Sequence, residues 1–260
     1  MKAKTLAGML LLALIAVAVM KLWLFPSIKD AYFAMDARSL QQVPAGLVVV
    51  RPTHFPYLRR NGILYARSPQ DGGNGPRMMG RNVPLRDVIA AVYNQSPPRV
   101  LLPPDAPQGN FDFLVTVAGN QRPRLQAAIR RKLGYVAQVE RQDTEVLGLK
   151  VVDSSLPGLT VSGADEKENI TFNDVKLLFT HLQLTVCADA LEQFLKAPMV
   201  DKTDLTNFYD FSIAWDSQTR RRLQDDRTAR ATADQILNDL GLGLKPDMAS
   251  LEMLVVKKAD

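Results

Sequence analysis

Apolar residues fall along this chain in three rhythms, and each predicts a different kind of element. The first is a nearly unbroken run from Leu6 to Phe25, interrupted by Lys21 near its end. At 1.5 Å rise per residue such a run is about long enough to cross the hydrocarbon core of a bilayer. Pro26 closes it. The pattern predicts an N-terminal transmembrane helix, a signal anchor over residues 1–26. Ala16-Val17-Ala18 keeps a cleaved signal peptide open as the rival, but apolar residues continue past it through Leu22-Trp23-Leu24-Phe25 and favour the anchor. Lys2 and Lys4 place the N-terminus inside, so either reading exports the polypeptide beyond Pro26.

The second rhythm is helical. Ile28, Ala31, Tyr32, Met35 and Leu40 predict a short juxtamembrane helix, and Pro44 and Gly46 end it, so residues 27–46 form a helix and linker. Leu85, Val88, Ile89, Val92 and Tyr93 make a stripe that predicts a helix over 84–93 with Pro84 at its first position. Leu125, Ala128, Ile129 and Leu133 predict another over 123–133, stopped by Gly134. Residues 185–195 and 231–240 continue the series, with a polar loop over 216–226 between them.

The third rhythm is that of strands, in short β-branched or alternating runs. It predicts strands at 47–50, 63–67 and 111–117, and a hairpin of 135–139 with 146–152 across Arg141-Gln142-Asp143. Residues 70–76 form a flexible turn that lacks the Lys-Ser/Thr of a phosphate loop. Residues 170–172 and 175–184 suggest two strands around Asn173-Asp174; a helix over 174–182 is the competing reading.

The order then repeats. Leu133-Gly134 recurs as Leu240-Gly241, Ile129 as Ile236, Glu145-Val146-Leu147 as Glu252-Met253-Leu254, and Lys150 as Lys257. Phe111-Asp112-Phe113 recurs as Tyr209-Asp210-Phe211, and Pro98-Arg99-Val100 is paralleled by Pro198-Met199-Val200. Matched residues in matched order argue for an internal duplication. The expected fold class is α+β: the transmembrane helix, then two duplicated domains, 47–153 and 154–260, each a mixed sheet with two helices.

Composition narrows the function classes. Hydrophobic residues make up 47% of the 260 and charged residues 23%, as in a folded protein. The net charge of +5 favours acidic partners, but no nucleic-acid motif accompanies it. One cysteine, Cys187, excludes an intrachain disulfide. Only His54 and His181 are available as imidazoles, without metal-ligand spacing, and no nucleophile elbow occurs. Nothing identifies a catalytic, cofactor or metal residue.

Asp112 and Asp210 sit between aromatic residues at equivalent places, where strand alternation gives them a structural role in a loop or cap. Asp201-Lys202-Thr203 reads as turn chemistry. Two basic clusters are the candidates for partner binding: Arg122, Arg124, Arg130 and Arg131, with Lys132, and Arg220, Arg221 and Arg222.

Asn82-Val83-Pro84-Leu85-Arg86-Asp87-Val88-Ile89, the Phe111-Asp112-Phe113 strand and above all the run Val200-Asp201-Lys202-Thr203-Asp204-Leu205-Thr206-Asn207-Phe208-Tyr209-Asp210-Phe211 resemble an uncharacterised, soil-associated bacterial family of unknown function. The resemblance spans roughly Leu47 to Lys257 and departs at Asp204 and Asn207, where the family tends to carry Gly. It implies an exported protein, sometimes fused to or neighbouring a membrane-embedded sensor metallopeptidase, and no known activity. The repeat is also similar, in pattern alone, to the short N-terminal domains of secretins and TonB-dependent receptors, which mediate protein contacts. The resulting expectation is a non-enzymatic interaction or scaffold module, anchored in the inner membrane with its bulk outside the cytoplasm. Its partner would be an envelope protein or the membrane surface. A ligand-binding regulatory ectodomain paired with a membrane metallopeptidase is the alternative.

Overall fold

The computed structural model describes residues 28–35, 39–53, 62–67, 76–117, 120–173 and 175–259. The described residues form two compact units. One comprises those up to Val88 with Asp105–Val136 and the end of the chain from Lys258; the other comprises Ile89–Pro104 and Ala137–Lys257.

Two expectations are corrected at once. Among the described residues no helix is long and apolar enough to cross a membrane, so neither the transmembrane helix nor the single-pass, inner-membrane placement is supported. The segment that suggested both, 1–26, lies outside the described residues. The helix expected across 27–41 is shorter too: α1 covers Ile28–Phe33, and a 3-10 turn covers Ser39–Gln42. What stands is the α+β class.

The first unit is built on an antiparallel sheet in the order β1-β5-β3-β2, from Val48–Pro52 (β1), Gly62–Arg67 (β2), Pro76–Pro84 (β3) and Asn110–Val115 (β5). β5 is buried on both faces, as a central strand covered from two sides must be. Register assigns the faces. Val49, Leu114 and Met79 pair across and pack with Phe33, Leu40 and Val43 of the N-terminal segment. Val48, Val50 and Phe113 point the other way, toward the face that α3, Gln121–Leu133, covers through β1. Asn120 caps α3, its side chain accepting from the Arg122 N–H, and Gly134 ends it in the left-handed conformation with φ 72°.

β3 was not foreseen, because Arg77 and Arg81 interrupt its apolar pattern. Both arginines are buried, and both donate to carbonyls of the N-terminal segment. Arg77 reaches Leu40 and Val43, and Arg81 reaches Phe33 and Met35. These are orphan carbonyls at the ends of the helical turns, which need donors once water is gone.

The second unit carries two sheets. α2, Leu85–Tyr93, leads into it and ends before β4, Val100–Leu101. One sheet has the order β10-β6-β12-β4. Its centre is two strands of 17 residues each, β6 (Tyr135–Val151) and β12 (Leu242–Lys258). The hairpin expected across Arg141-Gln142-Asp143 is therefore wrong: those residues run straight through β6. They offer no Gly, Asn or Pro to reverse the chain, and β6 finds its neighbours elsewhere in the sequence. β10, Met199–Asp201, pairs parallel to β6 at Leu147–Leu149, and β4 pairs parallel to β12 at Leu254–Val255. The two short strands thus lie on different long strands, at Leu147 and Leu254, two positions that the sequence pattern had matched.

The other sheet, β7-β11-β9-β8, is antiparallel and made of Thr160–Val161 (β7), Asn169–Phe172 (β8), Lys176–Leu182 (β9) and Tyr209–Ala214 (β11). Strands at 170–184 are thus found, and the competing helix is not. Asn173 closes the hairpin by accepting from the N–H groups of Val175 and Lys176. The unit's core gathers Phe179 and Phe211, stacked at 4.5 Å, with Leu182, Leu191, Leu223, Ala233 and Leu237 from this sheet and from α4 (Leu184–Leu195), α5 (Ser217–Gln224) and α6 (Ala229–Asn238). α5 replaces the loop expected at 216–226; Asp216 caps it through the N–H groups of Gln218 and Thr219.

Candidate functional site

The two aspartates singled out by the repeat do the same local job. In the first unit Asp112 is fully buried and accepts from the Asn82 N–H (3.0 Å) and the Thr53 hydroxyl (2.9 Å), with Arg51 alongside. In the second, Asp210 accepts from the His181 N–H (2.8 Å) and the Ser162 hydroxyl. Asn82 and His181 both have positive φ, 51° and 53°, and both stand just before a helix. Each carboxylate pins a left-handed residue, costly for a side chain other than Gly, at the strand-to-helix corner. The imidazole of His181 stacks flat on Phe208 at 4.2 Å, and its buried Nδ1 has no hydrogen-bond partner. His54 lies outside the described residues.

The Ser162 hydroxyl, then the His181 N–H, hold the Asp210 carboxyl below the usual carboxylate range. A lowered folded-state value gives stability that is complete above the unfolded-state value and is lost as pH falls through the folded one. Thermal melts should therefore show the wild type losing more Tm than Asp210→Asn between roughly pH 5 and pH 2. Parallel losses would remove Asp210 from that role.

In the turn after β10, Asp201 accepts from the N–H (2.9 Å) and hydroxyl (2.7 Å) of Thr203, and the Thr203 hydroxyl accepts from the Leu205 N–H at 3.2 Å. Lys202 is exposed, and its N–H donates to Leu149. Asp201, Asp204, Leu205 and Thr206 line a pocket of about 250 Å³ with Gln183 and Thr185 at the start of α4. Cys187, on the same helix, is buried; desolvation, then the Asp201 charge, pushes its thiol up to about 12, which excludes a thiolate nucleophile. Among the described residues no group of three or more His, Cys, Asp or Glu side chains is placed to hold a metal.

The basic clusters fall in different units. Arg122, Arg124, Arg130 and Arg131 are all exposed on α3. Arg220, Arg221 and Arg222 are exposed on α5, and the Arg220 guanidinium lies 5.8 Å from the Phe172 ring.

Phe172 belongs to a feature that sequence reasoning missed. β8 is the outer strand of its sheet, and every residue in it is exposed. Ile170 (51%) and Phe172 (50%) share the face of Phe179 and Leu177, the face that is core further in. The Asn173 N–H bonds to the Lys176 carbonyl across the hairpin. Ladder alternation then turns the N–H and C=O groups of Ile170 and Phe172 away from β9, toward the open edge. The strand was readable from its alternation; its edge position was not, because local sequence does not encode neighbours.

Residues 86–259 match a family described as "Protein of unknown function (DUF3738)". No curated protein sequence and no solved structure matches the chain.

Proposed function

The chain belongs to the DUF3738 family of proteins of unknown function, and from that premise we propose that it is a non-enzymatic interaction module whose β8 edge takes up an extended, acidic segment of a partner protein as an added strand. The observation that carries this is the pairing, on one outer strand, of outward-facing backbone groups with two large exposed apolar side chains. Soluble proteins usually blunt such an edge with charge, proline or a covering element. Strand addition uses both halves of it: main-chain hydrogen bonds give affinity, and alternate side chains give specificity. Arg220, whose guanidinium lies 5.8 Å from the Phe172 ring, makes acidic residues the complement. The pattern-level similarity to the protein-binding N-terminal domains of secretins and TonB-dependent receptors supports a docking role over a catalytic one, by analogy.

The test places a photo-crosslinking residue at Phe172, with Met248, also exposed, as the control position. One acidic partner is expected from position 172 and none from 248. In the purified complex the amides of Ile170 and Phe172 should gain hydrogen-exchange protection. Ile170→Lys with Phe172→Lys should abolish co-purification of that partner while moving stability by no more than about 1 kcal/mol, as surface changes do. Equal capture from both positions, or complex formation without protection at β8, would overturn the reading.

A further inference from the structure

The open edge of β8 is complementary to itself. Ile170 and Phe172 turn their N–H and C=O groups outward, and Thr171 between them turns its own toward β9. Lay an antiparallel copy of the strand on that edge, with a two-fold axis through Thr171. Ile170 of each strand then meets Phe172 of the other, and every outward group of the two residues finds a mate. Moving the axis half a residue sets outward groups against inward ones. Moving it a whole residue carries either Ile170 or Phe172 past the end of the opposing four-residue strand. The favoured register also sets each exposed Ile170 beside an exposed Phe172, an aliphatic–aromatic cross-strand pair.

Charge points to the same register. Strand alternation assigns Glu168, the exposed residue just before β8, to the face of Ile170 and Phe172. It stands about 13 Å from the Phe172 end of its own strand, at four residues' separation. Arg220 is at that Phe172 end: β11 stops at Ala214, opposite Lys176, and α5 begins just beyond. An antiparallel copy running past Phe172 carries its own Glu168 to this end of the sheet. Among the described residues neither Glu168 nor Arg220 has an ion-pair partner within its own chain. The two-fold arrangement brings the opposite charges together twice. We propose that the free protein covers this edge with a second copy of itself, β8 pairing antiparallel with β8 about Thr171. Two four-stranded sheets become one of eight. The dimer draws on the same edge as the reading above without needing its conclusion, and any other protein strand has to displace the second copy. So short a seam belongs to the weak, transient class of interfaces.

The experiment is Thr171→Cys in the full chain under mild oxidation, read on a non-reducing gel. The natural thiol, Cys187, is buried. At the axis the two residues form a non-hydrogen-bonded pair with Cα atoms about 4.5 Å apart, within disulfide reach. A disulfide-linked dimer is expected. Asn169→Cys, on the same face but with its two copies about 13 Å apart, should give none. Sedimentation of the unmodified chain should show a concentration-dependent dimer that Ile170→Lys with Phe172→Lys abolishes. Glu168→Arg and Arg220→Glu should each weaken association about tenfold, because both ion pairs turn repulsive, and the two changes together should restore it. Equal crosslinking at 169 and 171, or a monomer at every concentration, would overturn the dimer. A monomer whose position 172 still captures a different protein would overturn it and leave strand addition standing. Dimers linked through position 171, with no other protein captured at 172, would support it and sink the earlier reading.

Discussion

Glu192→Ala should lower the free energy of unfolding by about 3–5 kcal/mol, the usual cost of leaving one half of a buried ion pair alone. Glu192 is 1% exposed, on the inward face of α4. Its carboxylate accepts from Arg99 Nε at 3.1 and 3.0 Å, meets Arg99 Nη2 at 2.9 Å, and accepts from the Met199 N–H at 2.9 Å. One side chain thus joins α4, the turn before β4 and the start of β10. Without it, Arg99 keeps the Met199 carbonyl at 3.3 Å and the largely exposed Asp189 at 3.6 Å, a poor replacement. Arg99→Ala should cost a comparable amount, because the carboxylate is then the stranded charge. The double change Arg99→Met with Glu192→Leu should recover most of the loss, since apolar packing often equals a buried pair. Denaturant melts of the four proteins make the cycle. A single-variant loss under about 1 kcal/mol would show that water reaches the pair, as it does exposed ones.

Gly80→Ala should cost about 1–3 kcal/mol, and Gly80→Val more, through overpacking alone. Gly80 sits opposite Phe113 in the β3–β5 register, and the fully buried Phe113 ring lies flush on its Cα. A Cβ at residue 80 would fall inside the ring's van der Waals envelope, 2.5 Å from Cδ1 and 2.8 Å from Cζ. The ring cannot swing aside, because β5 is covered on both faces. Phe113→Leu should therefore partly rescue Gly80→Ala, a non-additive pair measurable by urea melts. Additive losses would place the strain elsewhere.

Much of this architecture was legible in local patterns, and the reasons for each success and failure are physical. α3 announced itself through its apolar stripe and Gly134, because helix ends are set by a few adjacent residues. The Asn173 hairpin was legible for the same reason. β3 was not, because its buried arginines answer carbonyls supplied by a segment more than thirty residues upstream in sequence. β6 was read as a hairpin because its partner β12 is also remote. Of the candidate site, the arginines of both clusters were identified, but the nearness of Arg220 to Phe172 follows from where the fold places α5. Glu192 looked like an ordinary polar helix position; only the fold brings Arg99 to it.

The exchange of short strands between the two long ones has a consequence for birth on the ribosome. β4 emerges early, yet the strand it needs, β12, is made more than a hundred residues later. At roughly 5–20 residues per second the nascent chain carries an unmated β4 and a half-mated β6 for many seconds. During that interval a β12 from a neighbouring polypeptide fits as well as its own, so crowded synthesis invites intertwined dimers of this chain.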